Sequence, residues 1–203
     1  MKKIGISGGT FNPIHLGHLI IAELFAGEMK LDKCFFVPAW LSPYKTENNE
    51  AQNIAPDHRA KMVKLAIEDN ERFDIDLFEI KKKGVSYTYD TILEFEKKYP
   101  DAEIFLLIGT DQAKDFQGWS NWEKIISKVR LSIACRPNII SDNEKNKINE
   151  SLSLDDRSPI WLQTPLLEIS STNIRQRAKR GESIKYLVPF SVENYILKNR
   201  LYS

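Results

Sequence analysis

Apolar runs of strand length alternate with longer stretches whose apolar residues recur at helical spacing. Lys3–Ser7 reads as a strand, and Leu16–Met29 as a helix with Leu19, Ile20, Leu24 and Phe25 on one face. Lys33–Val37 is a second strand. Residues 39–55, rich in Pro, Ser and Asn, predict a loop. Asp57–Asp69 follows as a helix with Met62, Val63 and Ala66 aligned. Phe73, Ile75 and Leu77 alternate with Asp74 and Asp76, the pattern of a half-exposed strand. Tyr89–Lys98 is again helical and is stopped by Pro100.

The run Ile104–Ile108 is apolar throughout, which suits a strand covered on both faces. Val129–Cys135 and Ile160–Gln163 are further strands, separated by a polar surface excursion over 138–158 that carries a little helix. Helices over Thr172–Arg180 and Ser191–Lys198 close the chain, giving a C-terminal helical part over 171–203. The alternation predicts an α/β fold: one domain over 1–203, built on a doubly wound, mostly parallel Rossmann-like sheet with helices on both faces. In such sheets ligands bind beyond the carboxyl ends of the strands, where the strand order reverses.

Composition narrows the function. Lys+Arg 29 against Asp+Glu 28 leaves a net charge of +1, without the basic excess or stripe of a nucleic-acid binder. The opening Met-Lys-Lys-Ile-Gly-Ile lacks a signal-peptide apolar region, and the apolar stretch from Leu19 to Met29 is interrupted by Glu23 and Glu28. No membrane segment is therefore expected. Cys34 and Cys135 lie in apolar runs without metal or redox spacing, as buried inert thiols do. These features predict a cytoplasmic protein acting on small molecules.

Two local sequences stand out, and each follows a predicted strand and opens a helix. The first runs from Ser7 through Gly8, Gly9, Thr10, Phe11, Asn12 and Pro13 to His15-Leu16-Gly17-His18. Gly8 and Gly9 would let the backbone turn sharply and approach a ligand. Pro13 holds Asn12 extended, and Gly17 would leave room for a ligand between the histidines. Two histidines three apart project from one side of a first helical turn, next to free amides and the positive dipole end. Zinc is the alternative, but only His58 and two isolated cysteines could complete its ligand set. A histidine near a helix start can also simply cap or be solvated. The dinucleotide G-x-G-x-x-G and the P-loop are both absent.

The second sequence is Ile169-Ser-Ser-Thr-Asn-Ile-Arg175. Ser170, Ser171 and Thr172 are capping types. With Arg175 one turn later they also make a hydroxyl and guanidinium cluster suited to phosphate. Arg177, Lys179 and Arg180 read as a solvated basic face.

Together these motifs resemble the H-x-G-H and I-S-S-T-x-x-R signatures of the nucleotidyltransferase superfamily. Within it, the stretch from Gly8 to His18 looks like that of the bacterial nicotinate mononucleotide adenylyltransferases. Further matches are Lys45, Arg59, Met62, Ser86-Tyr-Thr-Tyr-Asp-Thr91, Gly109-Thr-Asp111, Trp119 and Arg136-Pro137. The resemblance implies adenylyl transfer from ATP to nicotinate mononucleotide, with no covalent enzyme intermediate. Such chemistry needs positioning and charge neutralisation more than acid–base help.

On that resemblance His15 and His18 are the catalytic pair. The ATP contacts are Gly9, Thr10, Phe11, His15, His18, Gly109, Asp111, Arg136, Ser171, Thr172 and Arg175. Gly8, Gly9, Lys45, Thr88 and Trp119 would meet the mononucleotide. Mg²⁺ would arrive with ATP, held by phosphate oxygens and water, with no protein metal site. Each position also has a plainer reading: Lys45 as a solvated loop lysine, Asp111 as a helix cap, Trp119 as core or interface. The partners implied are ATP and nicotinate mononucleotide, with no nucleic acid and no membrane; a homo-oligomer is left open.

Two departures fall around the mononucleotide. Ser42-Pro-Tyr44-Lys45 stands where the family often has Pro-Pro-His-Lys, and Ser120 stands where many relatives have Tyr, with Trp122 nearby as a substitute. The rival readings are a nicotinamide mononucleotide or phosphopantetheine adenylyltransferase and, from another class, a non-catalytic nucleotide-binding regulatory module. A double-stranded DNA binder lacks its basic reading helix.

Overall fold

A computed structural model describes residues 1–43, 54–136, 140–154 and 157–203. In chain order these form β1 (Lys2–Gly9), α1 (Leu16–Glu28), β2 (Lys33–Pro38), α2 (Pro56–Ile67), β3 (Phe73–Ile75), α3 (Phe78–Lys82), α4 (Thr88–Lys98) and β4 (Ala102–Gly109). They continue with α5 (Thr110–Lys114), α6 (Trp122–Lys128), β5 (Arg130–Cys135), α7 (Asp142–Leu152), β6 (Ile160–Gln163), α8 (Ser171–Lys179) and α9 (Phe190–Lys198). The strands make one six-stranded parallel sheet in the order β3-β2-β1-β4-β5-β6. This is the doubly wound order expected, and it reverses between β1 and β4.

The chain divides into two compact units. The first comprises Met1–Gly8, Ile21–Phe35 and Tyr87–Leu166. In it Ile4 pairs with Ile104 and Ser7 with Leu107, while Leu107 pairs with Ser132 and Ala134 with Leu162. The fully apolar β4 is thus flanked by β1 and β5, and Ile104, Phe105, Leu106 and Ile108 are buried. Phe35 meets Phe95 of α4 edge-on at 5.2 Å. Helix α1 departs from the expected face: Ala22, Phe25 and Ala26 are buried, whereas Ile20 is 36% exposed. The reason is close approach. Phe25 lies over Gly5 of β1, where a Cβ would stand 2.7 Å from its ring, and small alanines on that face allow the contact. Cys34 and Cys135 are buried free thiols, as expected, and burial pushes Cys34 up to about 12.

The second unit comprises Gly9–Ile20, Phe36–Ser86 and Leu167–Ser203. Helix α2 packs on β3 and α9 and buries Met62, Val63 and Ala66 as the periodicity predicts, but it also buries Arg59. Strand β3 ends at Ile75, because the Asp76 carboxylate accepts from the Phe78 amide and opens α3. Short α3, α5 and α6 are absent from the sequence pattern, being too brief to show a helical period. The 138–158 excursion holds more helix than expected. Ser141 and Glu144 cap α7 reciprocally, a signature visible in the sequence, and Ile148 and Leu152 anchor the helix.

Candidate active site

Strand β1 feeds the histidine motif through a tight corner. Phe11 adopts a left-handed backbone with φ 49, a conformation costing about 1–2 kcal/mol for a side-chain-bearing residue. Its ring is only 3% exposed and packs on Phe36 at 5.7 Å and edge-on to His18 at 5.2 Å. Burying a phenylalanine is worth about 1.5–3 kcal/mol, enough to hold the corner. A Cβ on Gly9 would stand 3.0 Å from that ring, so Gly9 makes room for Phe11. A Cβ on Gly8 would enter open space.

Donors from distant segments then hold the backbone carbonyls of this corner. Arg59 Nη1 donates to Thr10 O at 2.7 Å and Arg59 Nη2 to Trp40 O at 3.0 Å. Arg175 Nη1 donates to Asn12 O at 2.9 Å, and Ser171 Oγ donates to Pro13 O at 2.9 Å. The Tyr202 hydroxyl donates to Asn12 Oδ1 at 2.7 Å. Arg59 is 3% exposed, and this burial lowers its pKa while the nearby Tyr202 and Glu79 raise it. Carbonyl oxygens repel anions. Engaging them with guanidinium and hydroxyl donors weakens that repulsion where a phosphate would approach.

The histidine rings stack, with centroids 3.7 Å apart and planes 24° apart. The His15 amide donates to His18 Nδ1 at 3.2 Å. That bond makes Nδ1 an acceptor, so a neutral His18 carries its proton on Nε2 as a donor. His15 is buried, and desolvation pulls its pKa down to about 4. Its Nδ1 has no hydrogen-bond partner among the described residues. With His15 kept neutral by its burial, the stack avoids the repulsion of about 4 kcal/mol that two imidazolium charges about 4 Å apart would feel at an effective dielectric of 20. Gly17 differs from expectation. A Cβ there would stand 3.1 Å from His15 Nδ1, so the space goes to the His15 ring rather than to a ligand.

The second motif starts α8. Ser170 is the cap, its Oγ accepting from the Asn173 amide at 3.2 Å. Thr172 Oγ1 accepts from Arg175 Nη2 at 3.3 Å. Ser171 and Arg175 thus brace the histidine loop in this structure. Arg177 and Arg180 pair with Glu182 on the surface, as a solvated basic face should. Lys179 instead lines a cavity of about 760 Å³ with Thr172, Arg175, His58, Arg200 and Tyr202, and among the described residues no acidic side chain lines it.

The remaining positions lie in the first unit. Gly8, Gly109 and Arg136 stand at the carboxyl ends of the adjacent strands β1, β4 and β5. The Gly109 amide donates to Gln112 Oε1 at 2.9 Å, and Thr110 Oγ1 donates to Ala134 O at 3.0 Å. Gly109 therefore takes the cap position, and the exposed Asp111 lies within the first turn of α5 without capping it. Thr88 begins α4, and Trp119 is half-buried with its ring 4.9 Å from that of buried Phe116. Arg136 is exposed. Lys45, Tyr44 and Pro137 lie outside the described residues.

The sequence pattern carried one unused signal here. Arg59 falls in line with Met62, Val63 and Ala66 on the buried stripe of α2, and a cation there marks a partnered interior group. Tyr202 has no such local signal. Among the described residues no group of three or more His, Cys, Asp or Glu could hold a metal ion, and no helix is long and apolar enough to cross a membrane.

The chain matches the cytidylyltransferase-like family model over residues 6–177. It is 41% identical to a probable nicotinate-nucleotide adenylyltransferase of Clostridium tetani, covering all of both chains. To the enzyme of the same description from Lachnoclostridium phytofermentans it is 37% identical, again over all of both. Its fold matches the Plasmodium falciparum nicotinic acid mononucleotide adenylyltransferase complexed with NaAD, with a TM-score of 0.76 at 20% identity over 100% of this chain and 98% of that one. The chain is a nucleotidyltransferase of the cytidylyltransferase-like family and belongs, within it, to the nicotinate-nucleotide adenylyltransferases.

Proposed function

We propose that the protein transfers the adenylyl group of ATP to nicotinate mononucleotide, yielding deamido-NAD and pyrophosphate. The carrying observation is the braced corner that stacks His15 on His18 beside the Ser171–Arg175 turn. The full-length likeness to nicotinate-nucleotide adenylyltransferases supports the choice of acceptor.

An oxygen of the mononucleotide 5′-phosphate attacks the α-phosphorus of ATP. The new phosphorus–oxygen bond forms as the bond to the α,β-bridging oxygen breaks, and pyrophosphate leaves with that electron pair. His18, with Nδ1 held by the His15 amide, offers Nε2–H to phosphate oxygens as charge shifts toward the leaving group. His15 enters neutral, at a pKa of about 4, and shapes the site by stacking and by its unpartnered Nδ1. Thr172 and Arg175 supply a hydroxyl and a fixed positive charge for the β- and γ-phosphates. The Ser171 hydroxyl proton is already engaged by Pro13, so toward phosphate Ser171 acts through the loop it holds. Gly8, Gly9, Thr10 and Phe11 would line the mononucleotide phosphate and the adenylate. In the first unit we assign Gly109 and Asp111 to the adenosine ribose, Thr88 and Trp119 to the pyridine ring, and Arg136 to adenine or phosphate; Lys45 we assign to phosphate.

Mg²⁺ fits the donor set if it is carried on the triphosphate, because the residues gathered at the corner are neutral or cationic. Bound there, it would neutralise phosphate charge. We also place the enzyme in the cytoplasm, a compartment that keeps thiols such as Cys34 and Cys135 reduced.

The test is pyrophosphate release from ATP and Mg²⁺ with nicotinate mononucleotide, nicotinamide mononucleotide and phosphopantetheine in parallel. The expected result is highest kcat/KM with nicotinate mononucleotide. Preference for either other acceptor reassigns the substrate, and no turnover with any of them overturns the enzymatic reading in favour of a nucleotide-binding module.

A further inference from the structure

The last four residues of the chain, Arg200–Ser203, form a tail whose geometry the proposed reaction leaves unexplained. After α9 the chain turns back on itself, with the Leu201 amide donating to Ile196 O at 3.0 Å. Arg200 and Tyr202 both adopt left-handed backbone, at φ 50 and φ 70. Neither is glycine, so each conformation is unfavourable by itself and needs surrounding contacts to persist. At Arg200 the contacts are those of a Schellman end to α9, its amide donating to Leu197 O at 3.2 Å; at Tyr202 the contact is made by the tyrosine side chain itself. Its hydroxyl reaches Asn12 Oδ1 at 2.7 Å, across 190 residues of sequence. Asn12 is 3% exposed, and its carbonyl is the one held by Arg175. Burial pushes the Tyr202 hydroxyl well above its ordinary pKa, and the nearby Arg175 and Arg59 oppose that rise. Tyr202 therefore remains a protonated donor throughout the physiological range.

Three side chains from three segments thus meet at one corner: Arg59 from α2, Arg175 from α8 and Tyr202 from the tail. The first two hold main-chain carbonyls, and the third holds the side chain between them. Asn12 and Tyr202 also share the wall of the cavity lined by Thr172, Arg175 and Lys179. We infer that Tyr202 is a positioning residue for adenylyl transfer, strapping the chain's last turn to Asn12 so that the Thr10–Pro13 corner presents the histidine pair in register. A displacement of about 1 Å at reacting groups costs about a hundredfold in rate, so one bond at the corner can matter to catalysis without deciding the fold. The inference rests on the proposed reaction, and its test separates the two.

Tyr202→Phe removes only the hydroxyl and leaves Asn12 Oδ1 without that donor. With wild type first shown to release pyrophosphate with nicotinate mononucleotide, the variant's kcat per folded molecule should fall about five- to tenfold, the kinetic equivalent of one buried hydrogen bond. KM for ATP should stay within about twofold, because the binding charge of Arg175 is retained. An unchanged kcat per folded molecule overturns the inference while leaving the reaction standing; an inactive wild type overturns the reaction itself. A second measurement needs no variant. In native-state hydrogen exchange on the wild-type protein, the Leu201 amide and the His15 and Leu16 amides should lose protection together with denaturant, as one cooperative unit. Release of Leu201 at lower denaturant, with His15 and Leu16 still protected, contradicts the strap.

Discussion

The histidine loop and the β4–α5 turn are each the corner after a strand's carboxyl end, one in each unit, yet they are held in opposite ways. The turn is capped locally, by the bond from Gly109 to Gln112 three residues on, and is tied to nothing farther than Ala134, 24 residues away on the neighbouring strand, which Thr110 bonds. The histidine loop is held from afar, by Arg59 at a separation of 49 residues, Ser171 at 158, Arg175 at 163 and Tyr202 at 190. A locally capped turn can form as soon as its helix does. A loop assembled from distant donors reaches its geometry only when the unit is complete, and it then has little freedom. Preorganisation of that kind suits a site whose work is to position two phosphates and stabilise shifting charge.

The sharpest way to break the contrast is Arg59→Leu. It removes the buried guanidinium that donates to the half-buried carbonyls of Thr10 and Trp40, and should cost about 3–4 kcal/mol in chemical denaturation. Arg59→Lys should recover less than half of that, because an ammonium cannot span two carbonyls with a planar fork. Full recovery by lysine would mean that charge alone holds the loop.

His15 gives the next effect, through pH. Its folded pKa of about 4 lies below the ordinary value of 6.5, so the unfolded chain binds the extra proton. Its contribution to stability is complete above pH 6.5 and is lost as pH falls from 6.5 toward 4. Between pH 7 and 4.5 wild type should lose about 2.5 kcal/mol more than His15→Gln, by urea denaturation. Parallel losses in both proteins would place the ring in a wetter setting than the structure shows. Gln112→Ala, at the locally held turn, should cost no more than about 1 kcal/mol. A larger loss there would erase the difference between the two corners.

The same contrast explains what could be read in the sequence. Alternating strands and helices, the apolar β4 run and the helix starts at Leu16 and Ser171 depend on neighbours, and they emerged close to their observed bounds. The α7 capping box is equally local, yet the polar composition of 138–158 predicts only a little helix there. The α1 face was misread because apolar side chains surround that helix, and only packing on Gly5 selects Ala22, Phe25 and Ala26. The motif residues stand out in the sequence by type and spacing, but the contacts among them do not. That Ser171 serves Pro13, that Gly17 yields its space to His15, and that Asn12 is held by Tyr202 all depend on contacts no local pattern encodes.

The central claim is that the braced corner presents His18 Nε2–H to the reacting phosphates. Steady-state kinetics of His18→Ala with ATP and nicotinate mononucleotide test it most directly, alongside equilibrium ATP affinity. The account predicts a fall in kcat of about a hundred- to a thousandfold, with ATP affinity changed no more than a few-fold. An unchanged kcat with a matching loss in ATP affinity and kcat/KM would contradict it, leaving His18 as a binding group with no part in the transfer.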